Sequence, residues 1–351
     1  MATSTKAYGV QNEKDNLKPM EIQRRDVGDD DVKLDISYCG VCHSDIHTAR
    51  NEWGGSTYPV VPGHEIIGRV TEVGKNVKNI KIGSLVGVGC MVDSCQECDP
   101  CKKDLEQFCE KGATFTYNSQ DKHIKGQQTY GGYSNSVVVD KEFILSIPEN
   151  LDEAGAAPLL CAGITTWSPL KHWNVKKGDK VGVIGLGGLG HMGVKFANAL
   201  GAHVVMITTS ESKADDAKKL GAHEVLISKN DKEMAKHKGS FDFILNTIPV
   251  GHKMDPYIAL LKIDATMVLV GAVEPLEPFH GGGVIMGRKR IAGSLIGGIK
   301  ETQEMLDFCG EHNIVSDIEL IKMEEINEAY ERVVKADVKY RFVIDMNSLK
   351  N

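Results

Sequence analysis

The chain has 351 residues, of which 41% are hydrophobic and 25% charged, and a formal net charge of −7. Its Lys and Arg residues form no run longer than Arg288-Lys289-Arg290, so neither composition nor charge points to a nucleic-acid surface. No apolar run is long enough to cross a bilayer, and the start, Met1-Ala-Thr-Ser-Thr-Lys-Ala, has no basic-then-apolar leader. Nine cysteines in such a chain read as reduced thiols, and the expectation is a cytoplasmic protein of two domains without a membrane partner.

Up to about residue 160, short apolar runs broken by Gly, Pro and Asp have the texture of an all-β, barrel-like region. Val32–Tyr38, Ile66–Val73, Ser84–Val88 and Ser134–Val139 are the candidate strands. Potential metal ligands punctuate this region in three fragments: Cys39-Gly-Val-Cys42-His43-Ser44-Asp45-Ile46-His47, Gly63-His64-Glu65 and Pro158-Leu-Leu-Cys161. Spacing alone does not unite them. Cys39 and Cys42 equally suit a redox CxxC pair, and His64 a hydrogen-bonded core histidine.

Between about residues 93 and 130 the strand pattern stops, and Cys95-Gln-Glu-Cys98-Asp-Pro-Cys101 is followed by Cys109. Four thiols at this spacing, with tight-turn residues between them, close on one tetrahedral zinc ion. Four protein ligands leave no open position for chemistry, so this zinc is read as structural.

From Lys180 strand-like and helix-like segments alternate, which implies a parallel sheet wound on both faces. The strands are Lys180–Ile184, His203–Ile207, Glu224–Ile227, Phe241–Thr247, Thr266–Val270 and Ile291–Ile296; the amphipathic segments include His191–Leu200 and Glu211–Leu220. Gly185-Leu186-Gly187-Gly188-Leu189-Gly190 lies between the first strand and the first helix, the context that turns a GxGxxG pattern into a dinucleotide site. Gly185 serves the tight turn, Gly187 the approach of a pyrophosphate, and Gly190 the packing of helix on strand. The second strand ends Thr208-Thr209-Ser210-Glu211-Ser212-Lys213, with no acid at its tip. Hydroxyls and a lysine suit the 2′-phosphate of NADP, whereas Glu211, one residue of slippage away, would favour NAD. Beyond Lys300, helical segments at Glu301–Glu311 and Glu324–Lys335 precede a strand at Tyr340–Ile344, and this tail is a candidate to rejoin the first domain.

Together, Cys39-Gly-Val-Cys42-His43-Ser44-Asp45, Gly63-His64-Glu65, the cysteine knuckle and the glycine loop resemble the zinc-dependent medium-chain alcohol dehydrogenases. The hydroxyl-rich strand end, Pro158-Leu-Leu-Cys161-Ala-Gly-Ile-Thr and Gly293-Ser294-Leu295-Ile296-Gly-Gly are similar to the cinnamyl alcohol dehydrogenase branch, which includes broad-range aldehyde reductases. The resemblance covers essentially the whole chain. It implies a GroES-like β-barrel catalytic domain, residues 1–161 and 300–351, around a Rossmann NADP-binding domain, 162–299. It further implies two zinc ions per subunit: a catalytic one on Cys42, His64 and Cys161, with Glu65 able to approach it, and a structural one on Cys95, Cys98, Cys101 and Cys109.

By the same resemblance Ser44 passes a proton through the nicotinamide ribose to His47. Asp45 is an orienting carboxylate, and His43, Ser294 and Ile296 join the glycine loop, Thr208, Thr209, Ser210 and Lys213 in holding the cofactor. Trp53, Cys90, Phe115 and Leu295 are the candidate lining of a substrate pocket for aromatic or medium-chain primary alcohols and aldehydes. Cys39, Cys90 and Cys309 match no ligand position and are read as free thiols. A homodimer is expected, with the Ile291–Ile296 region near Gly281-Gly-Gly283 as its edge. Two other readings stand beside this one: an NAD-dependent polyol dehydrogenase, and a zinc- and nucleotide-binding redox sensor that has lost catalysis. Intact Cys42, Ser44, His47, His64 and Cys161 argue against the latter, since a scaffold has no use for an open metal position.

Overall fold

A computed structural model describes residues 3–271 and 274–349. Residues 1, 2, 350 and 351 of the expected catalytic segments, and 272 and 273 of the expected Rossmann segment, lie outside the described residues. The chain divides into two compact units, Met1–Cys161 with Gly297–Asn351, and Ala162–Ile296.

The first unit is built on a seven-stranded sheet organised around the ten-residue strand Asp31–Gly40. One edge of that strand pairs antiparallel with Ile66–Val73. The other edge is shared: residues 31–35 pair with Ser136–Asp140, and residues 38–40 with the C-terminal strand Arg341–Asp345. The tail therefore satisfies backbone groups that would otherwise form an open sheet edge. Antiparallel pairing continues from Ile66–Val73 into Leu85–Val88 and on to Leu145–Ser146. The hairpin Thr3–Gly9 with Lys18–Arg24 forms a separate two-stranded sheet. The candidate strand Ser134–Val139 begins instead at Ser136, because the Ser134 hydroxyl bonds the Gly131 carbonyl and closes a turn there. The cysteine-rich lobe has little regular structure: a short pairing of Met91–Asp93 with Thr114–Phe115 and two helical turns, Cys101–Lys103 and Glu106–Phe108.

The second unit is a six-stranded parallel sheet in the order Glu224–Ile227, His203–Thr208, Lys180–Ile184, Phe241–Asn246, Leu261–Leu269, Arg290–Gly293. This is the doubly wound order 3-2-1-4-5-6, whose switch point falls between the first and fourth strands. Its central strands are continuous apolar runs, as burial on both faces requires; Val204, Val205, Met206 and Ile207 are all fully buried. The helix after the glycine loop starts at Gly188, three residues before the periodic apolar pattern begins, because glycines supply its first turn. The segment 211–220 forms a helical turn, Glu211–Lys213, and then the helix Ala214–Lys219. The last strand stops at Gly293 instead of reaching Ile296, whose φ of 38° takes it out of extended geometry.

Phe342 of the C-terminal strand is fully buried, with Arg332 over its ring at 4.7 Å. Phe342→Ala is expected to cost about 3–5 kcal/mol, read as a lower urea midpoint for the first unit; an unchanged midpoint would mean that the tail contributes little to that fold.

Candidate metal centres and nucleotide loop

The sulfurs of Cys95, Cys98, Cys101 and Cys109 converge, all lying within 4.8 Å of one another. Cys98 is 3.4 Å from Cys101 and 4.0 Å from Cys109, and Cys95 is 3.9 Å from Cys101. A tetrahedron of about 2.3 Å zinc–sulfur bonds has edges of about 3.8 Å, so the set fits zinc without rearrangement. Left-handed turns at Gln96 (φ 56°) and Asp104 (φ 59°) bring the thiols round. Backbone N–H groups of Cys95, Cys98 and Glu110 donate to Cys109, Cys95 and Cys98 sulfurs at 3.4–3.5 Å, which favours thiolates. The backbone N–H of Glu97 is the largest cause drawing the Cys95 thiol down to about 6, whereas burial pushes Cys101 up to about 12.

A second cluster brings Cys42, His64, Glu65 and Cys161 within the same span. Sheet register does part of this work. Cys39 pairs with Ile66, so the residues just beyond the Asp31–Gly40 strand meet those just before Ile66–Val73. Cys42 caps the helix His43–Ala49, and Cys161 ends the helical turn Ala157–Leu160. His64 Nδ1 donates to Asp45 Oδ1 at 3.0 Å, which leaves Nε2 as the free ligand atom. The hydrogen bond between Cys161 and Cys42 pulls the Cys42 pKa well down and pushes that of Cys161 well up. Two sulfurs and one imidazole nitrogen fit a three-donor zinc site with its fourth position open.

Glu65 stands behind this cluster, fully buried. Burial pushes its carboxyl up to about 7 against the pull of Arg341. Arg341 bonds Glu65 Oε1 and the Val41 carbonyl, the latter at 2.8 Å, while Glu65 Oε2 is buried with no hydrogen-bond partner. An unsatisfied oxygen beside two sulfurs is a group suited to a cation. Gly40 makes room for it, since a Cβ there would fall 1.9 Å from Oε2.

Ser44 Oγ lies 3.7 Å from the Cys42 sulfur. His47 bonds Glu52 through Nδ1 and sits between His43 and Trp53, ring centroids 5.7 and 4.9 Å away. Cys90 lies beside Cys161, its sulfur 3.7 Å from the Leu160 carbonyl. Trp53 and Phe115 are exposed, as is Leu295 of the second unit.

In the nucleotide loop Gly185 has φ 91°, a conformation that favours glycine, and a Cβ on Gly190 would fall 1.8 Å from the Gly185 carbonyl oxygen. Gly187 faces open space within 4 Å, and no side chain caps the helix Gly188–Ala199, so its first N–H groups are available to an anion. Lys213 reaches back over the loop, its Nζ donating to the Leu186 carbonyl at 3.2 Å. Thr208 is buried and Thr209 exposed, while Ser210 bonds Ser212 at 2.7 Å. Ser294 N–H donates to the Leu269 carbonyl at 3.2 Å, and Ile296, two residues on, has φ 38°.

Sequence reasoning missed Arg341, Glu52, Ser212 and two buried tyrosines at Asp45, Tyr133, whose hydroxyl is 3.3 Å from Oδ2, and Tyr117. Of these only Ser212 stood in a segment already examined for a binding role. Arg341 lies 276 positions from Glu65, and no spacing connects them.

Family models for an alcohol dehydrogenase GroES-like domain and a zinc-binding dehydrogenase match residues 28–149 and 188–311. Aldehyde reductase YahK of Escherichia coli K12 is 56% identical over 98% of this chain and 99% of its own length. A cinnamyl alcohol dehydrogenase of Sorghum bicolor superposes with a TM-score of 0.95 at 43% identity, covering 98% of each chain. The CAD of Helicobacter pylori, solved with NADP(H), gives 0.93 at 44% identity over 99% of each.

Zinc content separates the two centres. Cys161→Ser is expected to lower it from two ions per chain to one with little change in melting temperature. Cys98→Ser is expected to lose one ion and melt earlier; equal melting of the two variants would contradict the division.

Proposed function

Since the chain belongs to the zinc-binding dehydrogenase family, in its cinnamyl alcohol dehydrogenase-like branch, we propose that it interconverts primary alcohols and aldehydes with NADP(H), aromatic and medium-chain compounds being its substrates. The observation that carries this reading is the open three-donor position of Cys42, His64 and Cys161 in a chain that also holds a dinucleotide loop. Zinc held there would acidify a hydroxyl and polarise an aldehyde oxygen, and a bound nicotinamide would supply the hydride chemistry. Cys42 and Cys161 as thiolates balance the charge of a divalent ion, while Asp45 fixes the tautomer and aim of His64. Ser44, beside Cys42, would accept the hydroxyl proton as it passes its own proton on toward the cofactor side, and His47, tethered to Glu52, would release one proton to water for each one taken up by the relay.

Exposed Trp53 and Phe115, with Cys90 beside Cys161, support an apolar substrate wall, to which Leu295 is assigned as well. His43, the glycine loop, Ser294 and Ile296 are assigned to the cofactor. Thr208, Thr209, Ser210 and Lys213, now joined by Ser212, are assigned to its 2′-phosphate. The two compact units support a catalytic domain of 1–161 with the tail and a cofactor domain between them, the second boundary falling at 296/297, three residues before the expected 299/300. The strand Arg290–Gly293 ends its sheet, with one edge unpaired among the described residues, and Ile285 and Met286 nearby are exposed, which supports a homodimer formed along that edge. Among the described residues no helix is long and apolar enough to cross a membrane.

The test is nicotinamide absorbance with zinc-loaded protein and cinnamaldehyde, benzaldehyde or an aliphatic aldehyde. Fast NADPH oxidation with weak NADH activity is expected. A preference for NADH would move the ribose contact to Glu211, and hexitol oxidation alone would make the enzyme a polyol dehydrogenase. Lys213→Ala is expected to raise KM for NADPH about 10-fold or more, the worth of one charged contact, and to leave KM for NADH unchanged. Ser44→Ala is expected to cut kcat about 100-fold at constant cofactor affinity; an unchanged hydride step would remove Ser44 from proton transfer.

A further inference from the structure

Asp45 is fully buried and surrounded by donors. Oδ1 accepts from His64 Nδ1 and Gly63 N–H, both at 3.0 Å, and Oδ2 accepts from Cys42 N–H at 2.8 Å. The fourth donor is the hydroxyl of Tyr133, 3.3 Å from Oδ2 and also fully buried. Tyr133 comes from a part of the chain that supplies no metal ligand, and its backbone is locked. The Arg24 guanidinium bonds the carbonyls of Tyr130, Gly131 and Ser136 and the Ser134 hydroxyl at 2.6–3.0 Å. Gly132 N–H donates to Gly63, Tyr133 N–H to Pro62, and Tyr8 N–H to the Tyr133 carbonyl. Neither glycine of Gly131-Gly132 tolerates a side chain: a Cβ would fall 2.3 Å from the Pro62 oxygen or 2.5 Å from Ile66 Cγ1.

This segment therefore braces the His64 turn by its backbone and Asp45 by its side chain. We propose that Tyr133 is a positioning residue for the open metal centre, its hydroxyl fixing the rotation of Asp45 so that one carboxylate grips both ligand-bearing segments and aims His64 Nε2. The inference rests on the assignment of Cys42, His64 and Cys161 to zinc. Without the hydroxyl, the carboxylate keeps the Cys42 N–H on Oδ2 and the neighbouring Tyr117 phenol but loses the donor anchored in the 130–136 segment, and it gains freedom to turn, loosening the aim of His64; with it, the imidazole is held before any ion arrives. The donors that remain keep the fold intact, so the effect falls on metal retention.

The experiment uses zinc-loaded full-length protein carrying Tyr133→Phe, with release of each ion to a chelator followed over time. Release from the open centre is expected about 10-fold faster than in the wild type, in line with the effect of removing a group that orients a metal-bound histidine. Release from the four-cysteine centre is expected to be unchanged, which a general loosening of the fold would not produce. With cobalt in the open position, the visible ligand-field bands are expected to shift. Equal release rates and an unshifted spectrum would overturn the proposal, as would equal acceleration at both centres. A wild-type protein that binds one zinc per chain would instead overturn the metal assignment on which it rests. Should Tyr133→Phe fail to fold, 3-fluorotyrosine at position 133 keeps the shape and donates more strongly. Slower release from the open centre is then expected, and an unchanged rate would contradict the positioning role.

Discussion

The buried carboxylate of Asp45 is the constraint on which the catalytic half depends. An ionised group without water is costly unless donors surround it, and here they come from residues 42, 63, 64 and 133. Satisfying one charge thus ties a helix start, a turn before a strand and a distant loop to a common point. Its position in the first turn of the helix His43–Ala49 adds a favourable interaction with the helix dipole. The same contacts fix the imidazole tautomer, so the fold and the metal site share one set of hydrogen bonds.

The two metal centres solve different problems. The four-cysteine centre is local, closed within fifteen positions, and stands in for the apolar core that its lobe lacks. The open centre is assembled from residues more than a hundred positions apart, on strand and helix ends that the sheet aligns. Its rear wall is ionic: Arg341, delivered by the C-terminal strand, holds one oxygen of Glu65 and leaves the other turned loose beside the cluster. Burial depresses the Arg341 guanidinium, but Glu65 and the Cys42 and Cys161 sulfurs outweigh that effect and raise it. The tail strand is therefore both an edge cover and a source of charge.

Local features were legible from residues alone. The knuckle and the glycine loop announce themselves because a tight turn and a close approach each need particular residues at short spacing, and the parallel sheet shows in its continuous apolar strands. Cys42, His64 and Cys161 were united only by family resemblance, since no local pattern states which strands pair. The terminal strand read as Ile291–Ile296 is four residues, Arg290–Gly293; apolar composition continued where the backbone turned away. Arg341 and Tyr133 gave no signal, because a buried arginine and a core tyrosine look ordinary until their partners are placed. Ser212 was passed over beside Ser210, although the two hydroxyls are in contact.

X-ray absorption at the zinc edge tests the central claim most directly, because it averages over both centres without any variant. A closed site of four sulfurs and an open site of two sulfurs, one nitrogen and one oxygen give a mean of about three sulfurs and one lighter ligand per zinc. That mean, with two ions per chain, is the result expected. Four sulfurs per zinc with a single ion bound would contradict the account, leaving the knuckle as the only metal centre and Cys42, His64 and Cys161 without the role assigned to them.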